Sequence, residues 1–388
     1  MTRVLAVVLL VLGFVAGAGA PGSAAEPTVT ADGAVLWDPA DDRILWGKAA
    51  RQPLRPASTT KIMTVLLALE AGTVEDTVTV SSGAVEVGRR PGAATLNLRP
   101  GQQIAMRSLL AGLVMRSGND AAVAVAEHIA GSEEAFVAKM NARAQELGMA
   151  NTSFINATGL TDDLDHVASA RDLALLAEAA MRNDDFAAWA GAATLDVESL
   201  GSLTSRNELL TRYEGATGVK TGYTNLAGLC LVASARRDGR TLFAVVLGAD
   251  DDLFDRHFTE SAAVLAHGFD DFRRPEPARA GGVVTRYRWS DQAVRVVADD
   301  TLARTLAEDA RVRWRVTLDP EVARPVTAGQ RMGRAQLLVG RSVVDATDLV
   351  AGADVPAARQ RPAASAAGGA LQEALRSYAR LFDVKRKT

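Results

Sequence analysis

The segment that most constrains how this chain can fold is Ser58-Thr59-Thr60-Lys61, which leads into an apolar run at positions 62–69. The spacing of that run predicts a helix, and Pro56 lies where the helix is expected to begin. Residues three apart on a helix share a face, so the Ser58 hydroxyl is predicted to lie beside the Lys61 amine. Backbone N–H groups at a helix start lack partners within the helix. The segment therefore predicts a site that activates a serine and stabilises an oxyanion.

The composition excludes several other kinds of protein. A length of 388 residues predicts one large domain with further segments, and a net charge of -3 gives no reason to expect a nucleic-acid partner. The lone cysteine, Cys230, lies in an apolar strand-like run and is predicted to be buried rather than catalytic. The histidines show no HxH or HExxH spacing, so we predict no metal and no cofactor. No G-x-S-x-G elbow is present, which argues against an α/β-hydrolase.

The N-terminus, residues 1–25, has the pattern of a secretory signal peptide. Arg3 supplies positive charge, residues 4–16 form an apolar run, and Ser23-Ala24-Ala25 offers small residues for cleavage. An uncleaved N-terminal anchor is the alternative. Either way the protein is expected to be exported and to work at the extracytoplasmic face of the membrane, in the cell wall or in the periplasm.

The segments that follow alternate between strand-like and helical patterns. Strand-like runs at both ends enclose a helical block, which predicts an α+β fold with an antiparallel sheet packed by helices. The predicted elements are a hairpin at 33–47, the Ser58 helix, strand-and-turn material at 73–105, helices at 106–130, 132–147 and 170–182, a loop over 153–172, strands at 228–235 and 241–248, and a helix at 255–268.

The C-terminal third is predicted to be separate. Pro275 and Pro277 mark a boundary, so we assign residues 26–274 to the main domain and 275–355 to a small β-rich domain. Helical periodicity there is confined to 301–309, whereas residues 311–318 alternate as a strand does. Residues 356–370 are predicted to be a flexible linker, and 371–388 an amphipathic basic helix. That tail either contacts anionic lipid peripherally or packs on the protein.

Three motifs occur in order along the main domain: Ser58-x-x-Lys61, Ser117-Gly118-Asn119 and Lys220-Thr221-Gly222. This trio is typical of penicillin-binding proteins and class A β-lactamases. Each motif alone is explained by an ordinary helix cap or turn, and Ser205-Arg206-Asn207 repeats the Ser-x-Asn pattern. We prefer Ser117 because it begins an Ala/Val-rich run between the other two motifs. It is their joint occurrence that indicates a catalytic site.

The chain resembles the low-molecular-mass penicillin-binding D-alanyl-D-alanine carboxypeptidases over almost its whole length. The resemblance implies a serine peptidase domain of the transpeptidase type, a small β-rich second domain and an amphipathic tail. One departure is Tyr223, where members of the family often carry histidine. The blocks that carry the likeness are Ser58-Thr-Thr-Lys61, Ser117-Gly-Asn-Asp120, Asn156-Ala-Thr-Gly159-Leu160, the run His166 to Asp172, and Lys220-Thr-Gly-Tyr-Thr224.

Chemistry and resemblance together assign roles to these residues. Ser58 is expected to be the acylated nucleophile and Lys61, which unlike arginine can lose its proton, the base. Ser117 is expected to relay a proton to the leaving amine. The remaining expectations concern substrate binding: Asn119 holds the substrate amide, Lys220 and Thr221 bind the terminal carboxylate within Lys220-Thr221-Gly222, the N–H groups of Ser58 and Tyr223 form the oxyanion hole, and by resemblance Arg256 also faces the carboxylate.

The function implied is a serine-type carboxypeptidase that removes the terminal D-alanine from a peptidoglycan stem peptide ending in D-Ala-D-Ala. β-Lactam antibiotics are expected to acylate Ser58. A class A β-lactamase is one alternative, but no Glu-x-x-Leu-Asn lies between Ser117 and Lys220. A peptidoglycan D,D-endopeptidase with the same trio is a second. A non-catalytic cell-wall binding protein, with the second domain and tail as its working parts, is a third.

Overall fold

The computed structural model describes residues 26–250, 255–289 and 292–357, together with the backbone of residues 8–9. The chain separates into two compact units, with the division between Asp271 and Phe272. Each unit has its own hydrophobic core. The prolines of the sequence placed the boundary three residues later, between 274 and 275.

The larger unit is built on a five-stranded antiparallel sheet. Two of its strands are almost continuously apolar, which is expected where both faces of a strand are covered. A tight turn joins them at Asp238 and Gly239, whose φ angles of 49° and 79° suit an Asp-Gly hairpin. In spatial order the strands are Arg43–Lys48, Gly33–Asp38, Arg240–Ala249, Gly228–Arg237 and Ala216–Thr224.

Helices cover both faces of this sheet. On one face Trp37 donates a hydrogen bond to Glu178 of the helix Ala170–Met181 at 2.9 Å. On the other, Leu36 packs against Gly268 of the helix Arg256–Asp270. The adjacent residues Leu36 and Trp37 thus contact helices on opposite faces of the sheet. The predicted α+β fold is confirmed. The other helices are Lys61–Glu70, Ser82–Gly88, Met106–Arg116, Asn119–Ala130, Glu133–Glu146, Asp184–Gly191 and Leu209–Arg212.

Two parts of the helical block differ from the sequence prediction. The single helix predicted over 106–130 is two helices, because Ser117 adopts a left-handed conformation with φ 66° and ends the first. Segment 73–105 was predicted as strand and turn, yet it contains the helix Ser82–Gly88, which Ser81 caps through the N–H of Ala84. Two small antiparallel sheets complete the unit: the strands Thr77–Thr79 and Gln103–Ala105 pair with each other, and Thr194–Val197 forms a hairpin with Gly201–Thr204.

The second unit is β-rich, as predicted. Val312, Trp314, Val316 and Leu318 all contribute to its core, which confirms the alternation seen in the sequence. The helix considered at 301–309 is wrong, because Leu306–Ala307 forms a strand with Phe272–Arg273. The main sheet is antiparallel and runs in the order Val8–Leu9, Val312–Leu318, Arg331–Val339, Ser342–Ala351, Ala293–Ala298 and Val283–Arg288.

Several predicted segments lie outside the described residues: the export signal apart from Val8–Leu9, the linker beyond residue 357 and the whole tail 371–388. Those assignments stay predictions. Within the ranges that the structure describes, no helix is both long and apolar enough to cross a bilayer.

Candidate active site

Ser58 and Lys61 lie together at the start of a helix. Ser58 is in the 3-10 turn Ala57–Thr60, which continues as the helix Lys61–Glu70. The Nζ of Lys61 lies 2.8 Å from the Oγ of Ser58 and donates a hydrogen bond to the carbonyl of Thr158 at 2.6 Å. Only 1% of Lys61 is exposed. An amine is therefore held against the serine hydroxyl in the protein interior.

The surroundings of Lys61 favour the neutral amine. Burial lowers its pKa well below the ordinary value, and the positive charges of Lys220 and Arg206 lower it further. The carboxylate of Asp120 acts in the opposite direction with a smaller effect. A neutral amine that donates to Thr158 still has a lone pair to accept the Ser58 proton. The arrangement can therefore generate a nucleophilic serine.

Lys220 lies on the edge strand Ala216–Thr224, beside the Ser58 turn. This strand is at one edge of the five-stranded sheet, and an edge strand leaves N–H and C=O groups unpaired along its outer side. The approach is close, since a Cβ on Gly222 would lie 3.0 Å from the backbone N of Ser58. Lys220 is itself buried, its Nζ donates to the Thr221 carbonyl at 3.0 Å, and burial together with Arg206 lowers its pKa to about 7.

Ser117 follows the end of one helix and Asn119 begins the next, so the two residues do not lie on a single helix. Asn119 begins the second helix, and its N–H donates to the carbonyl of Ala94 at 2.7 Å. Next to it, the buried Asp120 accepts hydrogen bonds from Thr95 and from the N–H groups of residues 96, 98 and 121. The Oγ of Ser117 and the Oδ1 of Asn119 are buried but bond to no residue in the described part of the chain. Buried polar atoms without partners are costly, and they mark a place where a ligand can bind.

His166 connects the segment 153–167 to Ala57, the residue before Ser58. Its Nδ1 accepts from the N–H of Ile155 at 3.1 Å, so its proton is on Nε2. That Nε2 lies 2.8 Å from the Oγ1 of Thr60, which donates to the carbonyl of Ala57 at 2.8 Å. Ala57 has φ 47°, a strained conformation for a residue with a side chain. The chain of hydrogen bonds therefore stabilises the backbone that carries Ser58.

Gly159 also lies close to the carbonyl of Ala57. It has φ 75°, and a Cβ on it would lie only 1.8 Å from the oxygen of Ala57. No other residue fits there without displacing the Ser58 turn.

Sequence reasoning missed Thr158, His166 and Arg206 as parts of the site. Arg206 belongs to the Ser205-Arg206-Asn207 repeat, which we set aside, yet its backbone N–H donates to Met115 at 3.0 Å, two residues before Ser117. Its positive charge lowers the pKa of both site lysines. The blocks of family likeness at 156–160 and 166–172 already contained Thr158 and His166, and the Ser-x-Asn repeat was the sequence signal for Arg206.

The structure also locates the remaining predicted residues. Thr221 and Gly222 follow Lys220 on the edge strand, and Tyr223 is 39% exposed, with its hydroxyl 3.2 Å from Asn225. Arg256 is partly buried at the first position of the helix Arg256–Asp270. Cys230 is fully buried, which raises its pKa to about 12, as expected of an inert thiol.

Comparison with known proteins identifies the family. Residues 20–251 match the peptidase S11 family, described as D-alanyl-D-alanine carboxypeptidase. The chain belongs to this family. The resemblance and the enzyme class read from the motif trio are thereby confirmed.

Relatives of this carboxypeptidase match it over different spans. The D-alanyl-D-alanine carboxypeptidase DacF of Bacillus subtilis (strain 168) is 40% identical over 228 residues, which is 56% of this chain and 57% of that protein. DacC of Escherichia coli (strain K12) is 33% identical over 340 residues, or 82% of each chain. The crystal structure of penicillin binding protein 5 from Haemophilus influenzae has a TM-score of 0.68 at 30% identity, covering 86% of this chain and 99% of that one.

Gly159→Ala is expected to impair both folding and catalysis. The methyl group collides with the Ala57 carbonyl, and displacing a nucleophile by about 1 Å can cost roughly a hundredfold in rate. The measurements are the free energy of unfolding and kcat on a D-alanyl-D-alanine peptide. Gly148→Ala is the control, because Gly148 has a similar φ of 72° with nothing within 4 Å of the added Cβ. It should cost about 1 kcal/mol of strain and leave kcat unchanged. Equal losses in the two variants would contradict the assignment.

Acid is expected to weaken this unit through His166. Burial, with the Lys61 charge, lowers its pKa from 6.5 to about 4. Between those two values the unfolded chain binds more protons than the folded one, so stability falls as the pH falls from about 6.5 to about 4. The loss from His166 is about 3 kcal/mol. Denaturant unfolding at several pH values should show a shallower slope for His166→Gln than for wild type.

Proposed function

We propose that this carboxypeptidase removes the terminal D-alanine from peptidoglycan stem pentapeptides through an acyl-enzyme on Ser58. The observation that carries the proposal is the buried Lys61 amine, 2.8 Å from the Ser58 hydroxyl and with a lowered pKa. An unaided serine hydroxyl is a weak nucleophile at neutral pH and needs an adjacent base of this kind.

In the acylation step Ser58 Oγ attacks the carbonyl carbon of the penultimate D-alanine while its proton passes to Lys61. The backbone N–H groups of Ser58 and Tyr223 stabilise the oxyanion that forms. The C–N bond then breaks, and Ser117 relays a proton to the departing amine of D-alanine. Support for this role of Ser117 comes from its buried hydroxyl, which has no hydrogen-bond partner among the described residues.

The substrate is held by groups on both sides of the serine. Asn119 contacts the peptide amide, for which its unpaired Oδ1 is available within the described structure. Lys220, Thr221 and Arg256 bind the terminal carboxylate. With a pKa of about 7, Lys220 is partly protonated at neutral pH, and a bound carboxylate would stabilise its charged form.

Deacylation by water completes the cycle: water attacks the ester, and the Ser58 oxygen regains its proton. A β-lactam ring presents a comparable carbonyl and would acylate Ser58 in the same way. Class A β-lactamases use a glutamate to activate the deacylating water, and the segment 153–167 beside Lys61 contains no glutamate. We therefore expect the β-lactam adduct to be long-lived.

Intact mass spectrometry of residues 26–388 with penicillin tests the roles of Ser58 and Lys61. Wild type should form a persistent adduct, and Ser58→Ala should form none. Lys61→Arg keeps a nitrogen donor at this position but introduces a permanently charged group that cannot accept the proton, so acylation should slow by about 10²- to 10⁴-fold. In wild type, acylation should slow as the pH falls through the lowered pKa of Lys61. Turnover without a lasting adduct would indicate a β-lactamase, and neither adduct nor turnover would favour a binding protein.

We further propose that the enzyme is exported and that its tail, 371–388, binds anionic membrane surfaces. The support is the sequence: an apolar side and five basic residues, Arg376, Arg380, Lys385, Arg386 and Lys387. Residues 26–388 should sediment with anionic vesicles and not with neutral ones. A variant with glutamine at the five positions should stay in the supernatant, and equal sedimentation of both proteins would refute the proposal.

A further inference from the structure

A cavity of about 170 Å³ lies in the larger unit, and the segment that precedes Ser58 forms part of its lining. It is lined by Asp32 at the start of the sheet, Arg55 before Ser58, Leu164 from the 153–167 segment and Leu226 from the turn after the edge strand. A cavity of about 150 Å³ can accept a ligand the size of benzene. This one is therefore large enough for one amino-acid side chain.

Two opposite charges line this cavity without neutralising each other. Asp32 and Arg55 form no ion pair or side-chain hydrogen bond with each other or with any other described residue. The Nε of Arg55 is buried and has no partner in the described chain. The carboxylate of Asp32 lies over Gly248, where an added Cβ would come within 2.7 Å of its oxygen. A ligand that carries both an amine and a carboxylate would complement this pair.

The cavity is within reach of a peptide bound at Ser58. Arg55 precedes Ser58 by three residues, and Leu226 follows Tyr223 by three. Three residues span at most about 11 Å. The residue preceding D-Ala-D-Ala is bonded to the alanine that carries the reacting carbonyl, so its Cα lies at most about 5 Å from that carbonyl carbon, and its side chain can cover the remaining distance. Lys220, which is proposed to bind the terminal carboxylate, precedes Gly222 beside Ser58 on the edge strand, and Leu226 follows the end of that strand. The acyl-donor part of a substrate that runs along this strand would therefore extend towards the cavity.

Two of the residues that line the cavity are exposed leucines. Leu164 is 69% exposed and Leu226 is 51% exposed, which is unusual for large apolar side chains on one small surface. They belong to two separate segments, the 153–167 segment and the turn after the edge strand. An aliphatic stem passing between them would bury apolar area and carry a charged end to Asp32 and Arg55.

We infer that this cavity is a specificity subsite for the residue preceding D-Ala-D-Ala, and that it selects a side chain ending in both an amine and a carboxylate. The inference rests on the proposed function. Asp32 binds the amine, Arg55 binds the carboxylate, and the two leucines contact the aliphatic stem. A side chain with an amine alone satisfies only Asp32 and leaves Arg55 unpaired.

Three pentapeptides that differ only at the residue before D-Ala-D-Ala test the subsite. They carry 2,6-diaminopimelate with its free zwitterionic end, lysine with the amine alone, or norleucine with neither charge. The readout is the ratio of kcat/KM values between peptides on one enzyme sample, which does not depend on the folded fraction. Wild type should prefer diaminopimelate to lysine, and lysine to norleucine, by roughly fivefold at each step.

Each variant should remove one step of this preference. Arg55→Gln should bring the diaminopimelate-to-lysine ratio close to one and keep the lysine-to-norleucine ratio. Asp32→Asn should bring the lysine-to-norleucine ratio close to one and keep the diaminopimelate-to-lysine ratio. Arg51→Gln, an exposed arginine that does not line the cavity, should keep both ratios.

The outcomes separate the two proposals. If wild type releases D-alanine from none of the peptides, the proposed function fails. If wild type hydrolyses all three at equal efficiency, or if Arg55→Gln and Asp32→Asn keep the wild-type ratios, the subsite is refuted while the carboxypeptidase function stands.

Discussion

A lysine amine buried against a serine hydroxyl is the interaction on which the catalytic unit depends. Burial removes the water that would stabilise the charged amine, so the neutral form is favoured at the position where a base is needed. Lys61 therefore has to be enclosed, and the segment around Thr158 encloses it while its carbonyl accepts one amine proton. The cationic neighbours Lys220 and Arg206 reinforce the effect without contributing hydrogen bonds to the amine.

Close backbone contacts position the serine around that amine. Gly222 brings the edge strand against the N–H of Ser58, and Gly159 lies against the carbonyl of Ala57. His166, through Thr60, binds the same carbonyl and offsets the strain of the left-handed Ala57. These contacts fix the backbone that carries Ser58, and a reacting group that is already positioned loses little further freedom on reaching a transition state.

Buried polar groups that lack partners mark places where a ligand can bind. The Ser117 hydroxyl and the Asn119 amide oxygen are such groups within the described structure, and the neighbouring Asp120 accepts hydrogen bonds from the segment 95–98. The buried Nε of Arg55, which lines the cavity together with Asp32, is another such group. The described structure thus presents unsatisfied polar groups at the turn between Ser117 and Asn119 and again at that cavity.

The sequence by itself determined the motif trio, the family and the α+β architecture, because these depend on local spacing and apolar periodicity. Ser58 and Lys61 are three residues apart, and any helical turn brings them together. The break at Ser117 was not predictable, since the Ala- and Val-rich run reads as one helix and only packing favours the left-handed residue. Thr158, His166 and Arg206 join the site from positions 97, 105 and 145 residues after Lys61. Burial and long-range electrostatics, which set the pKa of Lys61 and leave Asp32 and Arg55 unpaired, exist only in the tertiary structure, because only there do distant segments exclude water together.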